Sequence, residues 1–235
     1  MVTIGSTEYS LPKGLLCKQS KFFSRAFEGD FKEGKEQRVA LSEEIGVVSN
    51  RGFQCIIQWL LVGWVNFGQG PSEQGVTDAL ELARLADMLE IFGVESLAAD
   101  RIEIIIKSYK ESPVPPPDFG RNTSFINHEH VASGVYLPVG HPIRHVLARA
   151  AVEGMLQLED HKFVKEIEKL PDFALDVFRE VQTTLRDFTS DRRGIYFKDP
   201  IRGDRVPFKP KRRGSIDSSF SEDHVIYPLP HLGTS

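Results

Sequence analysis

The spacing of apolar residues changes several times along the chain, and each change marks an element. Val2-Thr3-Ile4 and Thr7-Glu8-Tyr9-Ser10-Leu11 are short β-prone runs on either side of Gly5-Ser6, the residue types and spacing of a tight hairpin. Past Pro12-Lys13-Gly14 comes a small apolar patch, Leu15-Leu16-Cys17, and then Ser20 stands ahead of Phe22, Phe23, Ala26 and Phe27. That spacing places the four on one face of a small helix capped by Ser20. Arg38-Val39-Ala40-Leu41 predicts a third strand, ended by Ser42-Glu43-Glu44.

Helical periodicity strengthens beyond Asn50, a residue able to cap a helix running to Val62. Phe53, Ile56, Ile57, Leu60 and Leu61 fall on one stripe there, with Gln54 and Gln58 off it and Gly63 as the stop. Trp64-Val65-Asn66-Phe67 predicts a short strand before the turn Gly68-Gln69-Gly70-Pro71. A helix over about 75–89 carries Leu82, Leu85, Ala86 and Leu89 on one face. Another, over about 94–107, carries Val94, Leu97, Ala98, Ile102 and Ile105, and Gly93 separates the pair.

Between 112 and 140 the period is lost. Pro113, Pro115, Pro116 and Pro117 forbid a helix and the polar run to Asn127 has no sustained apolar spacing, which predicts a linker over 111–139. Pro142 suits the first turn of a helix bearing Ile143, Val146, Leu147 and Ala150, and a short helix from Phe163 ends before Pro171. The final helix has the clearest stripe, with Ala174, Val177, Phe178, Val181, Leu185 and Phe188. Residues 190–235 are basic, interrupted by Pro and Gly, and Ser-rich toward the end, which predicts a disordered tail.

Composition narrows the functional classes. In 235 residues, 40% are apolar, enough for a packed core, and no run approaches the ~20 apolar residues of a bilayer crossing. The first residues lack the basic flank, apolar core and cleavage site of a signal peptide. Cys17 and Cys55 sit among apolar neighbours without metal spacing, as reduced thiols of the cytoplasm or nucleus would. The formal charge is −4, yet residues 192–213 hold nine Lys/Arg against Asp199 and Asp204, a +7 segment that leaves −11 for the rest. An acidic body with a basic tail argues against a nucleic-acid-binding core.

Catalytic and metal signatures are weak. His128-Glu129-His130 lies in a polar loop, and His141 with His145 lacks a third ligand at suitable spacing, so solvated or capping histidines are the better reading. Gly68-Gln69-Gly70 lacks the third glycine of a dinucleotide loop. With no G-x-S-x-G, H-E-x-x-H or P-loop, no convergent acid, base and nucleophile is expected, and no cofactor or metal site.

The order hairpin, small helix, strand, long helix, strand, helical pair resembles the BTB/POZ domain over about residues 2–106. The matching residues are Val2-Thr3-Ile4-Gly5, Tyr9-Ser10-Leu11-Pro12-Lys13, Leu15-Leu16, Ser20-Lys21-Phe22-Phe23 and Ala26-Phe27. Further matches are Phe31-Lys32-Glu33, Val39-Ala40-Leu41, Phe53 through Trp59-Leu60 with Gly63, and Leu82-Ala83-Arg84-Leu85-Ala86-Asp87. The segment from Val135 to Arg144 and the helix behind it resemble the helical extension of many fungal members. The resemblance implies an α+β fold: a BTB/POZ domain over 1–110, the Pro-rich linker 111–139, a helical extension over 140–189 and the tail 190–235. Two departures stand out. Pro12 replaces the usual histidine, and the chain opens on the first core strand, without the N-terminal segment that many dimeric members exchange, so a homodimer stays an open expectation.

The resemblance implies a protein-interaction module and no catalysis. Members of the family bind one another or the cullin-3 scaffold of ubiquitin ligases, so an adaptor for such a ligase is expected, with a self-associating scaffold or nuclear regulator as the alternative. Cullin-binding members carry a hydrophobic-x-acidic motif after the Ser-x-x-Phe helix, the position of Phe31, Lys32 and Glu33. An exposed aromatic can anchor in a partner pocket while the carboxylate sets orientation; equally, Phe31 can pack on the small helix and Glu33 be solvated. In the tail, Lys209, Lys211, Arg212 and Arg213 resemble a nuclear-import signal, or a solvated charge run. Ser215, after Arg212-Arg213-Gly214, resembles a basophilic kinase site, where phosphate would offset the local charge.

Overall fold

The computed structural model describes residues 1–68, 70–109, 120–158 and 161–208. It is a mixed α+β structure in which helices predominate. Strands β1 (Val2–Ile4) and β2 (Thr7–Tyr9) form the expected antiparallel hairpin, with Val2 opposite Tyr9. Gly5, at φ +54°, takes the left-handed conformation the two-residue turn requires. Helices α1 (Lys13–Gln19), α2 (Lys21–Glu28) and α3 (Lys32–Glu36) follow, then strand β3 (Val39–Leu41). β3 lies parallel to β1, giving the order β2-β1-β3, and the three short helices form the crossover that a parallel pair needs.

Helices α4 (Asn50–Val62), α5 (Glu73–Met88) and α6 (Val94–Ser108) come next. Their caps explain where they begin. Ser49, not Asn50, caps α4 by accepting from the Gly52 amide at 2.9 Å, and Asn50 instead receives the Tyr9 hydroxyl at 2.8 Å. Ser72 caps α5 in the same way, so the helix starts at Glu73, two residues before the predicted start at about 75. Gly63 ends α4 with φ +67°. The predicted strand at Trp64–Phe67 is absent: Val65 is buried and Phe67 packs against the cores, but the segment pairs with no strand among the described residues.

The predicted linker is structured where it is described. Residues 121–123 form a 3-10 turn and α7 (His128–Val135) follows, with Asn127 and His130 in a reciprocal capping box. Ile126, Val131 and Leu137 are fully buried. α7 carries only Val131 and Val135 as large apolar residues among polar and small ones, so no stripe shows in sequence, and the proline run from Pro113 to Pro117 lies outside the described residues. Helices α8 (Pro142–Gln157), α9 (Val164–Lys169) and α10 (Pro171–Arg186) complete the helical part.

The disordered-tail expectation also fails over its first part. Strands β4 (Thr189–Asp191), β5 (Gly194–Lys198) and β6 (Arg205–Pro207) form an antiparallel sheet in the order β4-β5-β6. Phe197, Ile201 and Val206 are buried, and Asp199, 1% exposed, fixes the β5–β6 turn. Its carboxylate accepts from Asn122 Nδ2 at 2.6 Å and from the amides of Ile201 and Arg202 at 2.8 and 2.7 Å. The Arg202 guanidinium in turn donates to the Ile106 carbonyl near the end of α6 and to Asn122 Oδ1. A charge count over this segment averages such bonded side chains with solvated ones, so it cannot show that some are structural.

Two apolar cores meet on α5. One side of that helix, through Leu82, Leu85, Ala86 and Leu89, joins Val2, Ile4, Phe23, Phe27, Phe53 and Ile56. The other side, through Val76, Ala79, Leu80 and Ala83, joins α6, α7, α8 and α10. The helices after residue 120 therefore share a core with α5 and α6. On α10 the buried face is Phe173, Asp176, Val177 and Thr184, while Phe178 and Phe188 of the predicted stripe are exposed. The helix is rotated because Phe173 meets the Phe163 ring edge-on and Asp176 pairs with Arg144 of α8.

Candidate protein-interaction surfaces

Phe31, Lys32 and Glu33 form the entrance to α3, with Phe31 as the residue before its first turn. Glycines shape this corner. A Cβ on Gly34 would collide with the Gly29 carbonyl, and one on Gly29 would strike the Arg25 carbonyl at the end of α2, so the chain doubles back more tightly than a larger residue permits. Lys13 Nζ and Gln37 Nε2 each donate to the Phe27 carbonyl at 3.1 Å, tying α1 and the end of α3 to the same point. The Phe31 ring touches the Gly29 position but is 71% exposed; Lys32 is exposed and Glu33 half-buried. Among the described residues no polar partner holds the Glu33 carboxylate; its backbone carbonyl accepts from the Arg38 amide.

Three of the histidines singled out from the sequence have local bonding roles. His141 caps α8 by accepting from the Ile143 amide through Nδ1, and His145 reaches Glu180 of α10 at 3.0 Å. His130 is buried: its Nδ1 accepts from the Asn127 amide and its Nε2 stands 2.9 Å from Thr77 Oγ1. With Nδ1 accepting, Nε2 carries the proton, and desolvation pushes the pKa of His130 down to about 4 against the opposing pull of Glu73 and Glu129. Among the described residues no group of three His, Cys, Asp or Glu is arranged to hold a metal ion. Burial raises both thiols, Cys55 inside the first core and half-buried Cys17 beside Glu28, and both are free.

One cleft was not anticipated from sequence. It holds about 690 Å³ between the loop 43–49, the α5 face from Thr77 to Arg84, and α7 with Tyr136. Glu43, Glu44, Glu81 and Glu129 line it beside Ile45, Val48 and Leu80. Arg84 reaches across, donating to the Gly46 carbonyl at 3.2 Å, with its guanidinium over the Tyr136 ring. Glu81 stands immediately before the matched run that begins at Leu82, and its apolar neighbours in sequence mask it; a carboxylate amid a helix buried on both sides is the signal that could have found it.

Lys209, Lys211, Arg212, Arg213 and Ser215 lie outside the described residues. No described helix is long and apolar enough to cross a membrane. Comparison with protein-family models gives no match, and comparison with curated proteins gives none either.

Proposed function

We propose that residues 1–110 form a BTB/POZ platform and that the chain is a protein-interaction module, an adaptor linking a target to a cullin-3 ubiquitin ligase. Supporting the fold is the β2-β1-β3 sheet with its parallel β1–β3 pair, helical crossover and three following long helices. Supporting the function is one observation above others: Phe31 presents most of its ring to water at a glycine-built corner, beside a carboxylate with no partner among the described residues. Burying such a ring in a partner pocket gains about 1.5–3 kcal/mol, and an aromatic anchor of this kind typically dominates an interface.

Calorimetric titration of the full chain with the N-terminal region of cullin-3 tests this. Binding is expected, with a loss of roughly thirtyfold for Phe31→Ala plus Glu33→Lys, the size of a ~2 kcal/mol anchor. A null result for the unmodified chain at high concentration removes the proposal. The second reading, a self-associating scaffold, draws on Leu61, Val62 and Trp64, three large apolar residues exposed within four positions at the end of α4. Sedimentation at micromolar concentration separates the two, because a scaffold self-associates whether or not cullin binds.

A further inference from the structure

Helix α10 is apolar on two opposite sides. Phe173 and Val177 face the core with Asp176 and Thr184, while Pro171, Leu175, Phe178, Gln182 and Leu185 are exposed on the far side. Leu175, Phe178 and Leu185 are 46%, 53% and 37% exposed, and no other described helix leaves more than two large apolar side chains in water. The steps from Pro171 through Leu185 are four, three, four and three residues, the spacing of a seam that a second helix fills knob into hole. A helix apolar all round is one that is covered all round, and here the outer side has no cover among the described residues.

The charges beside the seam define which helix fits it. Asp172 in the first turn and Arg186 in the last are both exposed, and neither has a partner among the described residues. Each follows a seam residue directly, Pro171 or Leu185, so both lie on the same flank. Arg179, on that flank at mid-helix, already pairs with Asp176 at 3.8 Å. Under a two-fold axis each end of a helix meets the other end of its copy, so an acid at one end and a base at the other complement themselves. We infer that α10 is the interface of a homodimer, in which it packs antiparallel against α10 of a second copy. Leu175 then opposes Leu185 of the second copy, Phe178 opposes Gln182, and each Asp172 reaches an Arg186. A parallel pairing makes neither ion pair and aligns the two helix dipoles unfavourably. The face lies outside the second core, whereas Phe31 and the exposed end of α4 border the first, so this dimer rests on neither functional reading.

Sedimentation equilibrium of the full chain, from micromolar to high-micromolar concentration, is the test, and a monomer–dimer equilibrium is expected. Phe178→Asp should weaken the dimer roughly thirtyfold or more, because each dimer loses two rings from the seam. Its exposed position means that the melting temperature of the monomer should stay unchanged. Asp172→Lys and Arg186→Glu should each weaken association about tenfold, since two exposed pairs per dimer turn repulsive. Combined, they should restore it to within about threefold, a rescue specific to the antiparallel copy. Trp64→Ser should leave the dimer intact. A full chain that is monomeric throughout overturns the inference and leaves the face to the chain's own C-terminal segment or to another protein. A dimer indifferent to Phe178→Asp, or one that the paired charge swap fails to restore, overturns it as well. Loss of the dimer in Trp64→Ser overturns it by giving self-association to the end of α4, an outcome distinct from failure of the cullin titration.

Discussion

Replacing Asp176 by alanine is expected to cost far more than the ion pair it breaks is worth. Asp176 Oδ2 accepts from Arg144 Nε at 2.7 Å, joining α10 to α8, and both side chains are more than nine-tenths buried. At an effective dielectric of about 20 the attraction at that distance is about 6 kcal/mol, but withdrawing each ion from water costs several, so the intact pair contributes little net. With Asp176 gone, the guanidinium keeps two carbonyl acceptors, Leu137 at 3.1 Å and Asp172 at 3.5 Å, and no buried counter-charge. The expected loss is about 3–5 kcal/mol, a large share of the ~5–15 kcal/mol typical of a folded chain. Replacing both residues, Arg144→Met with Asp176→Leu, removes both desolvation costs and orphans only the carbonyls. That variant is expected to fall within about 2 kcal/mol of the unmodified chain. Urea unfolding followed by circular dichroism, at one pH and protein concentration for all variants, gives the comparison. A loss under about 1 kcal/mol for Asp176→Ala, or a double variant as unstable as the two singles added together, would refute the reasoning.

Acid should weaken the fold through His130. Its folded pKa lies near 4 and its unfolded value near 6.5, so the unfolded chain binds the extra proton, and stability present above pH 6.5 falls by up to about 3 kcal/mol as pH drops to 4. Melting temperatures across that range should show a shallower slope for His130→Gln; an unchanged slope would show that other groups carry it. Asp199→Ala should release the β4–β6 sheet by orphaning two backbone amides and Asn122 Nδ2, a cost of about 2–4 kcal/mol read as faster hydrogen exchange over 194–207. Unaltered protection there counts against the anchoring role. Phe53→Ala, at a fully buried ring packed edge-on with Tyr9, should cost about 3–5 kcal/mol in the same unfolding assay, and a cost below 1 would contradict its place in the core. Native Cys55 should resist an aromatic disulfide reagent that labels the urea-unfolded chain within minutes; rapid labelling of the folded chain would contradict its burial.

The sequence by itself determined the elements whose signals are local. The Gly5 hairpin, the Ser20 cap, the Gly63 stop, the α5–α6 pair split at Gly93 and the Pro142 helix each depend on residues within a few positions of one another, where backbone sterics and capping bonds act. Phe31, Lys32 and Glu33 stand out only through the family resemblance, and the exposure of Phe31 comes from the structure. Tertiary structure alone decided the rest, because the deciding partners are distant in sequence. Asp199 finds Asn122 across 77 residues and turns half of a basic segment into a sheet; Arg144 finds Asp176 and rotates α10 away from its widest apolar stripe. The cleft beside α5 likewise exists only once the loop 43–49 and α7 close around the face from Thr77 to Arg84, because a cavity is made by segments that local spacing cannot bring together.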